Sequence, residues 1–302
     1  MKIQNWIDKN CKRLDGKTVC ITGSTGGLAQ EFTIKLASLG ANLIFANRNK
    51  QKSEKQKQDI LSKFPNTKIQ ILVVDMFDIN SVKLFVRKLK QLSVDIIIIN
   101  SAVYNVPRAT STSGFDNVFQ INFVSPYFII KQMMPTLKKV KDSKVIIIGS
   151  IAYNYSKVDF SDIQRLKTKK PSIIYGNSKR FLMFALCKLF ENTSVNLSIV
   201  HPGITLTNMT NHYPKFVNWF VKIGIKILFS PPKKACLSVL AGTSQSTKFN
   251  EWIGPSKFNI WGFPKKQKLN TCSSAEATKI FNTAEKIYKD ISLPIKNATT
   301  DT

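Results

Sequence analysis

The sequence is poor in the residues from which metal sites and disulfide frameworks are built. It contains two histidines and five cysteines, and no two cysteines are spaced as Cys-x-x-Cys. An odd number of widely spaced cysteines argues against a disulfide framework and indicates a reducing compartment. Because His201 and His212 are the whole supply of imidazole, a histidine-based metal site is not expected either.

Long apolar stretches are missing as well. Residues 1–9 lack the apolar run that a secretory signal needs. The most apolar segment, 216–229, is interrupted by Lys222 and Lys226 and is too short to cross a bilayer. The sequence therefore predicts a cytoplasmic protein that is soluble or attached at most to a membrane surface.

Acidic residues are few. The chain has 18 Asp and Glu against 45 Lys and Arg, which gives a net charge of +27. Such an excess attracts anions, for example a phosphorylated cofactor, an acidic lipid or a nucleic acid. The lysines are spread along the whole chain, and neither an RNP-type aromatic box nor a Cys/His finger is present. We therefore favour a solvated basic surface over dedicated nucleic-acid binding, which is kept as the alternative.

Short apolar runs alternate with longer helical patterns along most of the chain. Strands are predicted at 18–21, 42–46, 69–74, 96–99, 145–148 and 195–200. Helices are predicted at 28–39, 50–64, 79–92, 113–139 and 173–192. The alternation predicts an α/β fold with a doubly wound parallel sheet of the Rossmann type. We expect a single domain over 1–302, with a core at about 14–290 and a polar tail after 296.

A glycine-rich segment follows the first predicted strand and opens directly into a helix. Glycines at such a turn let backbone N–H groups approach a pyrophosphate at the positive end of the helix. An ordinary glycine-rich turn is the alternative, but the position after the first strand is the one that dinucleotide binding requires. The predicted cofactor contacts in this turn are Gly23, Ser24, Thr25, Gly27 and Leu28.

The second predicted strand ends in Asn47 and Arg48. Folds that prefer NAD usually carry an acid here, which bonds the ribose 2′-hydroxyl. A guanidinium suits a 2′-phosphate instead, because it can bond two phosphate oxygens at once. Asn47 and Arg48 therefore predict a preference for NADP(H), with NAD(H) as the alternative cofactor.

Tyr175 and Lys179 lie four positions apart, so a helix puts both side chains on one face. A lysine ammonium beside a phenol favours the phenolate and is expected to lower the phenol pKa from its usual value of about 10. Such a phenol can exchange a proton with a carbonyl or alcohol oxygen near neutral pH. An exposed helical pair is the alternative, because this spacing arises by chance in many proteins.

Taken with the glycine-rich turn, these residues resemble the motifs of the short-chain dehydrogenase/reductase family, in order, from 14–17 to about position 289. Asn122, in Gln120-Ile121-Asn122, resembles the family's helix asparagine, and Ser150, which ends the fifth predicted strand, resembles its catalytic serine. The resemblance implies the following catalytic set: Asn122, Ser150, Tyr175 and Lys179.

The resemblance also implies further cofactor contacts. Asp75, after the third predicted strand, falls where the family contacts the adenine. The run Asn100-Ser101-Ala102-Val103 is similar to the family's Asn-Asn-Ala-Gly, with Val103 in place of a glycine near the cofactor. His201-Pro202-Gly203 and Thr207 resemble the turn and the threonine that contact the nicotinamide end. The implied contacts are Asp75, Asn100, Ala102, Tyr175, Lys179, Pro202, Gly203 and Thr207.

The stretch between Ser150 and Tyr175 is longer than in most members and contains a basic run at 165–170. With Asn47-Arg48-Asn49, it is similar to the retinol dehydrogenase-like branch, which interconverts aldehydes or ketones and alcohols, mostly with NADP(H). We therefore expect an NADP(H)-dependent oxidoreductase that acts on a hydrophobic carbonyl or alcohol. A homo-oligomer is also expected, and a non-catalytic dinucleotide sensor on the same fold is kept as an alternative.

The resemblance implies that a segment at about 205–230 covers the substrate. Its apolar face suits a hydrophobic substrate. Two other interpretations of 209–229 stay open. One is ordinary helix packing, and the other is a basic amphipathic helix in weak contact with an anionic membrane surface.

Overall fold

In the computed structural model, the apolar runs of the sequence form the strands of one sheet. The structure describes residues 2–155, 157–203, 231–269 and 271–293. The strands are β1 (Thr18–Thr22), β2 (Asn42–Asn47), β3 (Ile69–Val73), β4 (Ile96–Ile99), β5 (Lys144–Ile148), β6 (Asn196–Val200), β7 (Glu251–Lys257) and β8 (Trp261–Lys268). Their order in the sheet is β3-β2-β1-β4-β5-β6-β7-β8. All neighbouring strands are parallel except β7 and β8, which are antiparallel.

Helices connect the strands and pack against the sheet. They are α1 (Ile3–Asn10), α2 (Gly27–Ser38), α3 (Lys50–Leu61), α4 (Ile79–Leu89), α5 (Asn117–Phe119), α6 (Ser125–Leu137), α7 (Pro171–Phe190), α8 (Pro232–Ala235), α9 (Leu237–Ser244) and α10 (Ser274–Ser292). Among the described residues, no helix is long and apolar enough to cross a membrane. The predicted substrate-covering segment at 205–230 and the tail after 296 both lie entirely outside the described residues.

Strand β4 shows why the sheet is buried on both faces. Its isoleucines alternate between two apolar clusters, with Ile97 and Ile99 in one and Ile96 and Ile98 in the other. Each of the four is at most 5% exposed. Only a strand covered by helices on both sides can bury every side chain in this way. The predicted doubly wound α/β fold is therefore confirmed.

The helix predicted at 113–139 departs from the expectation. It begins at Asn117, where the Asp116 carboxylate accepts a hydrogen bond from the Val118 N–H (3.0 Å). A π-helical segment, Gln120–Val124, then separates α5 from α6. Single turns of π-helix are uncommon and occur often at functional sites. This one contains Asn122, a member of the predicted catalytic set.

The hairpin of β7 and β8 was not predicted. Gly254 and Pro255 interrupt β7, and both residue types are rare inside strands. Strand β8 carries Lys265, Lys266 and Lys268. Such charges are typical of a strand at the edge of a sheet, where they oppose pairing with another chain. The hairpin therefore extends the parallel sheet by an antiparallel edge.

Helix α7 lies very close to the short 3₁₀ turn Ile151–Asn154, which follows β5. A Cβ atom added at Gly176 would overlap the carbonyl oxygen of Ala152. The glycine is therefore what allows the helix to reach the turn. Because Tyr175 precedes Gly176 and Ser150 precedes the turn, this contact brings the two predicted catalytic side chains together.

We predict that Gly176→Ala destabilises the protein. Alanine is the better helix former by ~1 kcal/mol. Overpacking a filled site costs ~1–3 kcal/mol, however, and a backbone carbonyl cannot move aside as a flexible side chain can. The free energy of unfolding, measured by urea denaturation, should fall by about 1 kcal/mol or more.

The matched control is Gly27→Ala, since nothing lies within 4 Å of a Cβ atom added at Gly27. This control should not lose stability. A Gly176→Ala variant as stable as the wild type would show that α7 and the turn are not packed in this way.

Candidate active site

The glycine-rich turn after β1 takes its shape from Gly23. This residue has φ +68°, and an added Cβ would lie 2.8 Å from Ser101 Oγ and 3.1 Å from Asn100 Nδ2. A side chain is therefore excluded by both conformation and space. Gly26 precedes α2 in extended conformation, and the first turn of α2 contains no acidic residue. The positive end of α2 thus remains open to an anion.

Asn100 ties the end of β4 to this turn. Its side-chain amide donates to the carbonyl oxygens of Gly23 (2.8 Å) and Thr22 (3.2 Å). Its backbone N–H donates to Thr22 Oγ1 (3.0 Å). The residue predicted as a cofactor contact therefore also holds the loop on which the cofactor would lie.

The side chains of Ser24 and Asn47 differ from the expectation, because both are buried and bonded to each other. Asn47 Nδ2 donates to Ser24 Oγ and to Ser53 Oγ, each at 2.8 Å. Ser24 Oγ in turn donates to Gln56 Oε1 (2.9 Å). Polar side chains on the inner face of α3 thus draw both groups inward, which leaves only their main chains for the predicted cofactor contacts. Among the described residues, Asn47 Oδ1 has no hydrogen-bond partner.

Arg48, by contrast, points outward. Its side chain is 78% exposed, and its Nη1 lies 3.8 Å from Asp75 Oδ2. Asp75 also accepts a hydrogen bond from the Phe77 N–H (3.0 Å), which fixes its carboxylate at the end of β3. The predicted 2′-phosphate ligand and the predicted adenine contact are therefore neighbours at the same edge of the sheet.

Asn122 holds the loop after β4 by side-chain hydrogen bonds. Its Oδ1 accepts from the Val103 N–H (2.8 Å), and its Nδ2 donates to the Val103 carbonyl (2.9 Å) and to Ser178 Oγ (3.1 Å). Ser178 Oγ donates to the carbonyl of Tyr175 (2.7 Å). The asparagine thus joins the loop at Val103, where the family has a glycine, to helix α7. Both Nδ2 hydrogens of Asn122 are therefore used within the protein.

Ser150 and Tyr175 lie close together, and the Ser150 side chain acts to lower the pKa of Tyr175. Ser150 follows β5 in extended conformation, and its Oγ accepts the Ala152 N–H (3.3 Å), so it caps the 3₁₀ turn. Lys179 is buried, its Nζ donates to the Ile148 carbonyl (2.9 Å), and the same Nζ lies 5.6 Å from the centre of the Tyr175 ring. All four predicted catalytic residues therefore converge at the carboxyl ends of β4 and β5.

The expectation that Lys179 lowers the Tyr175 pKa is wrong in this structure. Burial raises the pKa of Tyr175 to about 12, and Ser150 only partly opposes this rise. Burial also lowers the pKa of Lys179 to about 8. The reason is desolvation, which disfavours the charged form of both groups.

Tyr104 is a site residue that the sequence analysis missed. Its ring meets the Tyr175 ring edge to face, with 5.3 Å between the ring centres. Tyr104 also contributes to the raised pKa of Tyr175. Its position directly after the degenerate Asn-Ser-Ala-Val element is the signal that could have indicated it.

The remaining predicted cofactor contacts differ in how exposed they are. The side chain of Leu28 belongs to an apolar cluster, so only its backbone N–H can face a cofactor. Gly203 has φ +85°, and an added Cβ would lie 3.0 Å from the Ile260 carbonyl in the β7–β8 hairpin. Pro202 is buried beside it, while Thr25 and Ala102 are partly exposed. Thr207 lies outside the described residues.

The site suits a dinucleotide. The glycine-rich turn leaves the space in front of Gly27 free, the positive end of α2 carries no acid, and Arg48 stands exposed at the end of β2. Among the residues that the structure describes, no group of three or more His, Cys, Asp or Glu side chains could hold a metal ion. The reactive groups that the structure brings together are the Tyr175 phenol, the Ser150 hydroxyl and the Lys179 amine.

Similar structures support this interpretation of the fold. A crystal structure of an uncharacterised protein from Mycobacterium paratuberculosis covers 93% of this chain and 96% of its own, with a TM-score of 0.73 and 20% identity. A 3-oxoacyl (acyl-carrier-protein) reductase from Agrobacterium tumefaciens C58, with NADP bound, covers 76% of this chain and 88% of its own, with a TM-score of 0.61 and 20% identity. At these identities the likeness shows the fold alone.

The sequence comparisons are more specific. Retinol dehydrogenase 13 from Mus musculus is 27% identical over 205 residues, which cover 66% of this chain and 61% of the length of that relative. This similarity agrees with the expected retinol dehydrogenase-like branch. Residues 17–217, more than half of the chain, match the model of the short chain dehydrogenases. The chain therefore belongs to the short-chain dehydrogenase/reductase family.

Proposed function

We propose that this protein is an NADP(H)-dependent oxidoreductase that interconverts an aldehyde or ketone and its alcohol, with a hydrophobic small molecule as substrate. One observation carries the proposal. Ser150 and Tyr175 meet at the end of the sheet that also bears the glycine-rich turn, because the 3₁₀ turn that Ser150 caps packs directly against Gly176. A carbonyl oxygen placed between them would accept two hydrogen bonds.

The described residues offer contacts for the pyrophosphate, the adenine and the nicotinamide ribose of the cofactor. The pyrophosphate would lie on the backbone of the glycine-rich turn at the start of α2. The adenine would lie near Asp75, and the nicotinamide ribose near Tyr175 and Lys179. When bound, NADPH supplies the hydride, and the protein supplies position and electrostatics.

The protein groups handle the oxygen of the substrate. In the direction of reduction, Tyr175 donates its phenol proton to the carbonyl oxygen as negative charge develops there. Ser150 donates a hydrogen bond to the same oxygen, which orients it and stabilises that charge. A phenol whose pKa is raised to about 12 holds its proton at neutral pH, as an acid must before it reacts.

NADP(H) is favoured over NAD(H) by the charge at the end of β2. Arg48 is exposed there, and the carboxylate nearest to it, Asp75, lies at 3.8 Å and is itself partly exposed. A pair so open to water is weak. The guanidinium therefore remains free to turn toward a 2′-phosphate, while Asp75 faces the adenine.

Both alternative functions lack a comparable observation. A non-catalytic sensor would not need Ser150 next to Tyr175 or a buried lysine beside the phenol. A nucleic-acid-binding protein would rest on the net charge alone. A cytoplasmic location, a homo-oligomeric state and weak contact with a membrane surface remain predictions.

The proposal is tested by measuring NADPH consumption over a panel of aldehydes, ketones and quinones. Turnover with at least one hydrophobic carbonyl, faster with NADPH than with NADH, is expected. Absence of turnover across the panel and of alcohol oxidation in the reverse assay, with NADPH bound normally, would favour the sensor.

Replacing Tyr175 by Phe removes the proposed acid and leaves the ring. We expect kcat to fall by ~10²–10⁴-fold, as is typical for the loss of a general acid. The Kd for NADPH should stay within about twofold of the wild type, since the reacting hydroxyl contributes little to binding. Tyr155→Phe is the control, because Tyr155 is 55% exposed in the same region. A Tyr175→Phe variant that kept a tenth of the wild-type kcat would remove Tyr175 from the role of acid.

Lys179→Met should impair binding and catalysis together. The ammonium lies beside both the Tyr175 ring and the predicted site of the nicotinamide ribose, so its loss affects the cofactor and the acid. We expect the Kd for NADPH to rise by about tenfold, the value of one hydrogen bond to a charged group. Lys188→Met on the same helix is the control, since the partly buried Lys188 pairs with Glu191 more than two helical turns beyond Lys179. Unchanged NADPH affinity would contradict the assignment.

Arg48→Ala should weaken NADPH binding by about ten- to a hundred-fold, because a hydrogen bond to a charged group contributes roughly 1.5–3 kcal/mol. NADH binding should change little, since its ribose carries no phosphate. The control is Lys52→Ala, an exposed cation on the adjoining helix. Titrations at two salt concentrations separate a local contact from the diffuse charge of the chain. Equal losses for both cofactors would refute the role of Arg48.

A further inference from the structure

Arg180 directly follows Lys179 in α7 and is buried to 2% exposure. Buried charges are rare in proteins unless they are paired and hydrogen-bonded. Nothing in the proposed chemistry uses this guanidinium. Its burial next to a catalytic lysine therefore needs another reason.

The guanidinium binds three separate parts of the chain. Nε and Nη2 donate to the two carboxylate oxygens of Glu276, at 2.8 and 2.7 Å, in a bidentate pair. Nη2 also donates to the Thr271 carbonyl (2.7 Å), and Nη1 donates to the Tyr153 carbonyl (3.2 Å). Glu276 lies in the first turn of α10, where its N–H donates to the capping hydroxyl of Ser273 (3.1 Å). One side chain of α7 thus joins the start of α10 to the turn that contains Tyr153.

That turn is the one that begins at Ser150. Its first residues are held by the bond from the Ala152 N–H to Ser150 Oγ, and its carbonyl at Ala152 touches Gly176. Arg180 lies one helical turn after Gly176 in α7. Its bond to the Tyr153 carbonyl holds the far end of the same 3₁₀ turn. Two contacts with α7 therefore determine where Ser150 lies relative to Tyr175.

A row of packed aromatic rings connects Arg180 with His201. The Arg180 guanidinium lies 5.4 Å from the centre of the Phe184 ring, and Phe184 packs on Tyr153 at 5.9 Å. Tyr153 packs on Trp252 at 5.8 Å, and Trp252 stacks on His201 at 4.6 Å. His201 begins the His-Pro-Gly turn predicted to face the nicotinamide end of the cofactor. The guanidinium therefore stands at one end of a packed row that reaches both sides of the site.

We propose that Arg180 is a positioning residue of the active site, which holds the Ser150 turn against α7 with Glu276 as its counter-ion. It touches neither substrate nor cofactor and acts through the placement of Ser150 relative to Tyr175. The inference rests on the proposed function for its kinetic consequence. The positioning itself is a property of the chain and is measurable without turnover.

The test must separate positioning from simple stability. Removing one partner of a buried ion pair leaves an unpaired charge and is strongly destabilising, whereas replacing both by apolar residues of similar size is often neutral. The double variant Arg180→Met/Glu276→Leu therefore removes the bond to Tyr153 while sparing the fold. Glu276→Gln is the matched control, because it keeps Arg180 and its bond to Tyr153 while neutralising the counter-ion.

For the double variant we expect a kcat lower by ~10²-fold, with KM and the Kd for NADPH within about twofold of the wild type, since a displacement of about 1 Å costs that much. Assays are run well below the unfolding temperature of each variant. Glu276→Gln should keep kcat within about threefold of the wild type, even if it unfolds at a lower temperature. A double variant with wild-type kcat would overturn the proposal. So would a loss of kcat that, in both variants, is in proportion to the drop in unfolding temperature.

A second readout does not depend on activity. Hydrogen–deuterium exchange of peptides that cover 149–155 should be at least tenfold faster in the double variant than in the wild type and unchanged in Glu276→Gln. Unchanged exchange in the double variant would overturn the positioning role. If no carbonyl is turned over by the wild type, the proposed function fails, and this exchange measurement alone then decides the role of Arg180.

Discussion

The active site depends on how closely helix α7 can approach the turn that follows β5. Gly176 permits that approach because its missing side chain leaves room for the Ala152 carbonyl. The same approach brings Ser150 close to Tyr175, whose pKa is raised by burial, as the pKa of Lys179 is lowered by burial. A packing constraint between two pieces of backbone therefore underlies both the geometry and the electrostatics of the site.

Much of the fold could be predicted from the sequence, because strands buried on both faces must be apolar throughout. Strands β1, β2, β4, β5 and β6 each have at least four buried residues, and Ile96–Ile99 identifies the centre of the sheet, whereas β3, at one edge, is partly exposed. The β7–β8 hairpin could not be predicted in the same way. Its outer strand is rich in lysine, and Gly254 and Pro255 weaken the pattern of the inner one. Edge strands obey a different rule, in which charge protects an open row of backbone groups.

The geometry of the candidate site was predictable where two residues lie on the same helix or strand. It was not predictable where the hydrogen-bond partners of a residue lie on a different element. Tyr175 and Lys179 share a helix face because they are one turn apart. The inward rotation of Asn47 depends instead on Ser53 and Gln56, on a helix whose sequence looks like a wholly polar surface. Likewise, desolvation of the phenol is a property of the assembled site, and no pair of residues reveals it.

The ion pair between Arg180 and Glu276 crosses the boundary of the region that the family model matches. Arg180 lies within residues 17–217, while Glu276, strand β8 and helix α10 all follow that region. The smallest autonomous unit of this protein is therefore longer than its recognisable core. A fragment cut at the end of the family match would keep Asn122, Ser150, Tyr175 and Lys179 and yet bury a guanidinium with no anion beside it. The C-terminal helix thus belongs to the catalytic module, although it carries none of its reacting groups.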